Sequence, residues 1–181
     1  MKSYQPSTIN HQPSTINHQP STINQQNMSI IILNTTIQAD IHKVFDLARD
    51  IDLHQKSTSK TNEKAIAGRI SGLIELNETV TWRAKHLGFY QTHTSKIVDM
   101  KKPYQFTDVM LKGRFKSFKH QHIFREDGKN TIMTDILEFE SPFGIIGQLF
   151  NYFFLKNYMK KFLLKRNEMI KNTAENHKIN S

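Results

Sequence analysis

From Ser29 to Glu140 most of the chain alternates apolar and polar positions, the period of half-buried strands, and after Gly144 it changes to a helical period. Ser29–Gln38, apolar and β-branched, predicts the first strand. Asp40 then stands where a helix N-cap belongs, and Ile41, Val44, Phe45 and Ala48 share one face of a short helix behind it. Asp50–Gln55 predicts a second short helix, followed by the polar linker Lys56–Glu63. Further strands are predicted around Ala65–Leu76, Thr79–His86, Phe89–Met100, Tyr104–Lys112, Phe115–Glu126 and Lys129–Glu140, with turn-forming residues between most of them. Ser-Pro-Phe-Gly at 141–144 breaks this series, and a long helix is expected from Ile145 to Ile170, carrying Phe150, Phe153, Phe154, Tyr158 and Phe162. The order predicts an α+β domain: a curved antiparallel sheet of six or seven strands, two short helices after the first strand, and a long C-terminal helix closing the sheet. Such an arrangement tends to enclose a cavity.

Asp127-Gly128 between two alternating segments predicts a two-residue hairpin loop of type I′. In that register Glu126 faces Lys129, Phe124 faces Thr131, His122 faces Met133, His120 faces Asp135 and Phe118 faces Leu137. One face of the hairpin then shows Phe118, His120, His122, Phe124, Met133, Asp135, Leu137 and Phe139, and this is the expected concave side. The pairing places His120 within reach of an imidazole–carboxylate hydrogen bond to Asp135. Alternation along Thr79–His86 puts Val80, Trp82, Ala84 and His86 on one face, assigned to the same side, while Arg83 and Lys85 face solvent.

Composition narrows the chemistry. A chain of 181 residues suits one domain with a sizeable core. It has no cysteine, which excludes disulfides, thiolate metal sites and cysteine nucleophiles. Residues 5–25 are three tandem heptapeptides, Gln-Pro-Ser-Thr-Ile-Asn-His twice and once ending in Gln25. A proline and a single isoleucine per unit make neither a helix nor a coiled-coil seam, so residues 1–27 are expected to be disordered. Repetition this regular reads as translated repetitive DNA, and Met28 is the expected native start; an intact mass that includes residues 1–27 would refute it. The domain is then expected over residues 28–175, with residues 176–181 as a disordered tail. No secretory signal is apparent and no stretch approaches about 18 uninterrupted apolar residues, so a cytoplasmic protein is expected. The formal charge of +9 and pI of about 9.7 bring anionic membranes and nucleic acid into view. The basic residues cluster on a helix without exposed interleaved aromatics clearly placed for base stacking, so no nucleic acid is expected. Neither a glycine-rich phosphate loop nor a hydrolase nucleophile motif is present.

The element order, strand, two short helices, antiparallel strands and long helix, resembles that of the START-like, or SRPBCC, superfamily. Locally, Ala65-Ile66-Ala67-Gly68-Arg69, Thr81-Trp82-Arg83-Ala84-Lys85-His86, the run Phe115–Phe124 and Thr131-Ile132-Met133-Thr134-Asp135 resemble its polyketide cyclase/dehydrase-like bacterial branch. The resemblance covers roughly residues 29–175 and rests more on element order than on any motif. It implies a helix-grip fold with a deep pocket between sheet and last helix, used for apolar or amphipathic small molecules. No catalytic motif is common to the superfamily, so the resemblance names no reaction.

The expected function is therefore binding of a small apolar ligand (a lipid, a polyketide-like molecule or similar). Trp82, His86, His120, His122 and Asp135 are the candidate polar or aromatic contacts, and Phe150, Phe153 and Phe154 the apolar wall. The alternative reading of His120 and Asp135 is an acid–base pair of a cyclase or dehydratase; the structural alternative is a buried pair that only holds strands in register. His120 and His122, two apart on one strand, can reach one metal ion, but the sequence places no third ligand, so no metal and no cofactor are expected. Leu149–Leu155 is apolar apart from Asn151, whereas Lys156–Lys171 holds six basic residues against Glu168 alone. That basic half either faces water or makes this a peripheral membrane or interaction protein that acts through its basic helix. A monomer or weak dimer is expected.

Overall fold

The computed structural model describes residues 28–86, 88–142 and 154–176. Seven strands form one antiparallel sheet: β1 (Met28–Ile37), β2 (Lys64–Gly68), β3 (Thr79–His86), β4 (Phe89–Lys101), β5 (Gln105–Lys112), β6 (Ser117–Asp127) and β7 (Asn130–Glu140). Strands β2 to β7 run as a meander, and β7 returns to pair with β1, giving the order β1-β7-β6-β5-β4-β3-β2. The sheet is curved and open. Register breaks at Ala65/Ala67, Thr94/Ser95 and Ile97/Asp99 are where extra residues bend the strands. Gly68 ends β2 with φ of 73°, and a Cβ there would meet the Thr79 carbonyl oxygen at 2.1 Å, so only glycine fits.

Two short helices fill the gap between β1 and β2: α1 (Ile41–Ala48) and α2 (Ile51–Ser57). Asp40 caps α1, accepting from the amides of His42 and Lys43, and Asp50 caps α2 in the same way through Asp52 and Leu53. The expected apolar face of α1, Ile41, Val44, Phe45 and Ala48, is buried. The C-terminal helix α3 (Lys156–Asn176) packs on β1, α1 and α2. Its buried stripe is Leu163, Arg166, Asn167, Ile170 and Ala174, so two polar residues stand on the face packed against the domain. No helix among the described residues is long and apolar enough to cross a membrane.

The β6–β7 hairpin departs from the expected register. Asp127 pairs with Asn130, so the two-residue loop is Gly128-Lys129 rather than Asp127-Gly128. Gly128 has φ of 61° and Lys129 has no positive φ, the pattern of a II′ rather than an I′ turn. With glycine at the first loop position, no side-chain-bearing residue has to adopt positive φ. Each β6 residue consequently pairs two places further along β7: His122 faces Asp135, His120 faces Leu137 and Phe118 faces Phe139. Because side chains alternate with period two, this shift leaves every residue on its expected face. His120, His122, Phe124, Met133, Asp135, Leu137 and Phe139 are all buried.

Two apolar clusters form the core. One gathers Ile37, α1, Val80, Trp82, Phe106, Phe124, Met133 and Ile170. The other gathers Ile31, Leu33, Leu137, Phe139 and Leu163, with Phe115, Phe118, Leu155 and Met159 against it. Between them each of three elements changes character. Along β6 the order is Phe118, His120, His122, Phe124; along β7, Leu137, Asp135, Met133; along α3, Leu163, Arg166-Asn167, Ile170. A polar layer thus crosses the domain from sheet to helix.

Candidate functional site

A cavity of about 630 Å³ lies between the concave face of the sheet and the helices. Its walls are mostly apolar, with Ile74, Val80, Trp82, Ile97, Phe106 and Leu137 from the core side and Leu155, Met159, Phe162 and Leu163 from the α3 side. The polar layer contributes Asp108, His120, His122 and Arg166 to the lining. Asp135 stands behind them and is fully buried.

Strand register builds this layer. Asp108 of β5 pairs with His120 of β6, and His122 pairs with Asp135 of β7, so the four groups lie on three adjacent strands and one face. His120 Nε2 lies 2.9 Å from Asp135 Oδ1 in a hydrogen bond. His122 Nδ1 is also 2.9 Å from that oxygen, but off the hydrogen-bonding direction. The expected His120–Asp135 contact therefore forms diagonally rather than between directly opposed residues. From α3, Asn167 Nδ2 donates to Asp135 Oδ2 at 2.6 Å and to Thr35 Oγ1 at 3.2 Å. Arg166 approaches Asp135 Oδ1 at 3.6 Å and donates to the Ala48 carbonyl at 2.7 Å, which ties α3 to the end of α1. The two imidazoles pack at 3.8 Å between centroids, and Phe106 stacks on His122 at 4.1 Å.

Burial and pairing oppose each other throughout the layer. Burial raises the Asp135 carboxyl, but the hydrogen bond from His120 and the closeness of His122 outweigh it and hold the group well below the usual carboxylate range. Asp108 is likewise pushed up by burial and brought below its usual value by the His122 hydrogen bond and the adjacent His120. Burial lowers His120, helped by repulsion from His122 and opposed by Asp135. Arg166 is lowered by burial against the pull of Asp135 and Asp108.

Of the expected contacts, Trp82, His120 and His122 line the cavity. Trp82 is only 7% exposed and stacks on His54 at 4.3 Å, so it belongs to the core and to the cavity wall at once. Asp135 acts through the histidines from behind. The backbone of His86 ends β3, and its side chain lies outside the described set, as do Phe150 and Phe153. Phe154, expected as apolar wall, is not in the lining; it is 44% exposed and stacks on Tyr158, which does line the cavity. Sequence reasoning missed Asp108, Arg166, Asn167 and a second polar group formed by His54 and Glu63, whose Nε2 and Oε2 are 3.6 Å apart beside Trp82. Asp108 also supplies what the sequence could not place, a third donor near the histidines. One ligand atom from each of Asp108, His120 and His122 falls within 4.8 Å of the others.

No family model matches the chain. No curated protein matches it either. Solved structures do. An aromatase/cyclase from a Streptomyces species superposes with a TM-score of 0.66 at 12% identity, covering 82% of this chain and 94% of that one. A START superfamily protein from Mycobacterium smegmatis gives 0.62 at 11% identity, with 81% and 97% covered. A major latex-like protein from Panax ginseng gives 0.60 at 17% identity, with 82% and 98% covered. At these identities the likeness concerns the fold: the chain has the START-like helix-grip fold.

Proposed function

We propose that the domain binds a small apolar or amphipathic molecule in the cavity between its sheet and α3. The observation that carries this reading is the cavity: about 630 Å³, walled by apolar side chains, with polar atoms concentrated in one layer. That volume lies in the usual range for small-molecule sites, and sparse polar groups on an apolar wall are what orients an amphipathic ligand. The fold of the START superfamily and major latex-like neighbours supports the same reading. Trp82, His120 and His122 are the proposed contacts, with Phe162 and Leu163 as apolar wall.

A second reading draws on one observation. His120 borders the cavity and is hydrogen-bonded to a buried carboxylate, the arrangement a cyclase- or dehydratase-type acid–base pair needs, and one neighbour is named an aromatase/cyclase. Asp135 also serves Asn167 and Arg166, however, so its place in the layer is accounted for without turnover.

Trp82 is the only tryptophan, so its emission reports on the cavity alone. Titration with an anilinonaphthalene probe or a long-chain fatty acid is expected to give a saturable change in Trp82 emission, and native mass spectrometry of freshly purified protein an added small-molecule mass. Filling the cavity with Ala84→Phe should abolish both. A flat titration together with a bare mass would refute the reading.

A further inference from the structure

The orientation of the two histidines in the polar layer has a chemical consequence. A carboxylate oxygen only accepts hydrogen bonds, so His120 carries its proton on Nε2, 2.9 Å from Asp135 Oδ1, whereas His122 Nδ1 lies at the same distance but out of line and makes no hydrogen bond there. His120 Nδ1 is then a lone-pair donor, and His122 Nε2 becomes one when the proton it shares with Asp108 is displaced. Both are turned toward Asp108 Oδ2, at 4.0 Å and 3.4 Å. Three atoms able to ligate a metal ion, from adjacent strands, thus converge on the cavity wall. Such a group is held by a shared proton or, where a cation displaces that proton, by the cation. Arg166 does not fill that role toward these three atoms, because its guanidinium is engaged with Asp135 and the Ala48 carbonyl.

We propose that Asp108, His120 and His122 bind a divalent first-row transition-metal ion on the wall of the cavity. Ligands about 2.0–2.2 Å from a tetrahedral ion stand roughly 3.3–3.6 Å apart. The His122–Asp108 separation already matches, and the His120–Asp108 separation needs to close by a few tenths of an ångström. Two imidazoles and one carboxylate suit Zn²⁺ or Fe²⁺. Asp135 takes the part of the carboxylate that orients ligating histidines from behind. Two carboxylates against one guanidinium leave the layer with net negative charge, which favours a dication over an anion. The three protein ligands leave the cavity side of the ion for water or for an oxygen atom of a bound molecule. Metal binding stands apart from the small-ligand reading, since either can fail without the other.

The test uses the full chain, stripped with a chelator and titrated with Zn²⁺ by calorimetry and with Co²⁺ by visible absorption. One saturable site per chain is expected, with Co²⁺ bands of nitrogen/oxygen coordination. The isosteric Asp108→Asn should weaken binding by about 100-fold or more, beyond the 10–100-fold typical of losing a group behind the ligands. The double variant His11→Gln/His18→Gln should bind as the parent does, which separates this site from the histidines of the repeat. Circular dichroism of Asp108→Asn and a parallel titration of His122→Gln guard against a folding defect in either variant. Absence of saturable binding, or binding that survives Asp108→Asn but is lost with His11 and His18, would overturn the proposal. The Trp82 titration with an apolar probe, repeated on stripped protein, shows whether the cavity reading stands independently of the metal.

Discussion

Among the described residues, two stations of the cavity bring a histidine to a carboxylate, and they are built differently. In the polar layer, His120 and His122 meet Asp135 at 2.9 Å, all three residues sit on paired strands, and Asn167 and Arg166 approach from α3. At the other station His54 comes from α2 and Glu63 from the linker before β2, and their nearest atoms stand 3.6 Å apart. There the firmer contact of His54 is its stack on Trp82. Strand register holds the first station, whereas the second hangs from a short helix and a connecting segment. Damage to the first should therefore appear as lost stability, and damage to the second chiefly as altered binding.

The largest effect is expected from Asp135→Ala. It leaves Arg166 buried without its facing carboxylate and removes the acceptor shared by His120 and Asn167. Breaking a buried, paired charge destabilises by about 3–5 kcal/mol. Urea unfolding monitored by circular dichroism should show a loss of that order. A loss under about 1 kcal/mol would mean that the layer does not tie sheet to helix.

Acid should test the first station next. The folded-state value of His120 lies below the ordinary 6.5, so between those two values the unfolded chain binds the extra proton and stability falls as pH falls. Asp108 and Asp135 are lowered from 3.8, so their contribution is present above that value and is lost as pH drops below it. Both effects have the same sign. Stability should decline in two stages on acidification, the first with a slope of at most about 1.4 kcal/mol per pH unit. Replacing the imidazole in His120→Gln should flatten the first stage and shrink the second, since His120 also helps to lower Asp135 and Asp108. A stability curve flat from pH 7 to pH 4 in the parent would contradict the direction assigned to His120.

The difference between the stations also explains what the sequence disclosed. Alternation along β3, β6 and β7 is enough to place Trp82, His120, His122 and Asp135 on the concave face, and it survives a two-residue error in register because the face has period two. Asp108 was hidden for a different reason. One acid in the middle of β5 looks like a solvent-facing residue until the β5–β6 pairing sets it opposite His120. Arg166 and Asn167 were hidden by composition: within a run of lysines, Arg166 counts as one more surface cation. Their spacing is the overlooked signal, since they fall at three and four residues from Leu163 and Ile170 on the buried stripe. His54 precedes the linker Lys56–Glu63 and Glu63 ends it, and along that linker no period relates one residue's direction to another's. Elements with a repeat disclose their inward groups; connections between them do not.

The smallest effect, and the one that sharpens the comparison most, is expected from His54→Leu. The change keeps an apolar side chain beside Trp82 while removing the ring stacked on it and the 3.6 Å contact with Glu63. An aromatic pair contributes about 0.5–1.5 kcal/mol beyond its burial, and the side chain is not a member of the hydrogen-bonded layer. Stability should therefore fall by about 1 kcal/mol or less. Trp82 emission should still shift, because its stacking partner and the nearest imidazole dipole are gone, and affinity for an apolar probe should change without a matching change in unfolding free energy. If His54→Leu instead destabilises as much as Asp135→Ala, the two stations belong to one structural network, and the division between a load carried by register and a wall that meets ligand does not hold.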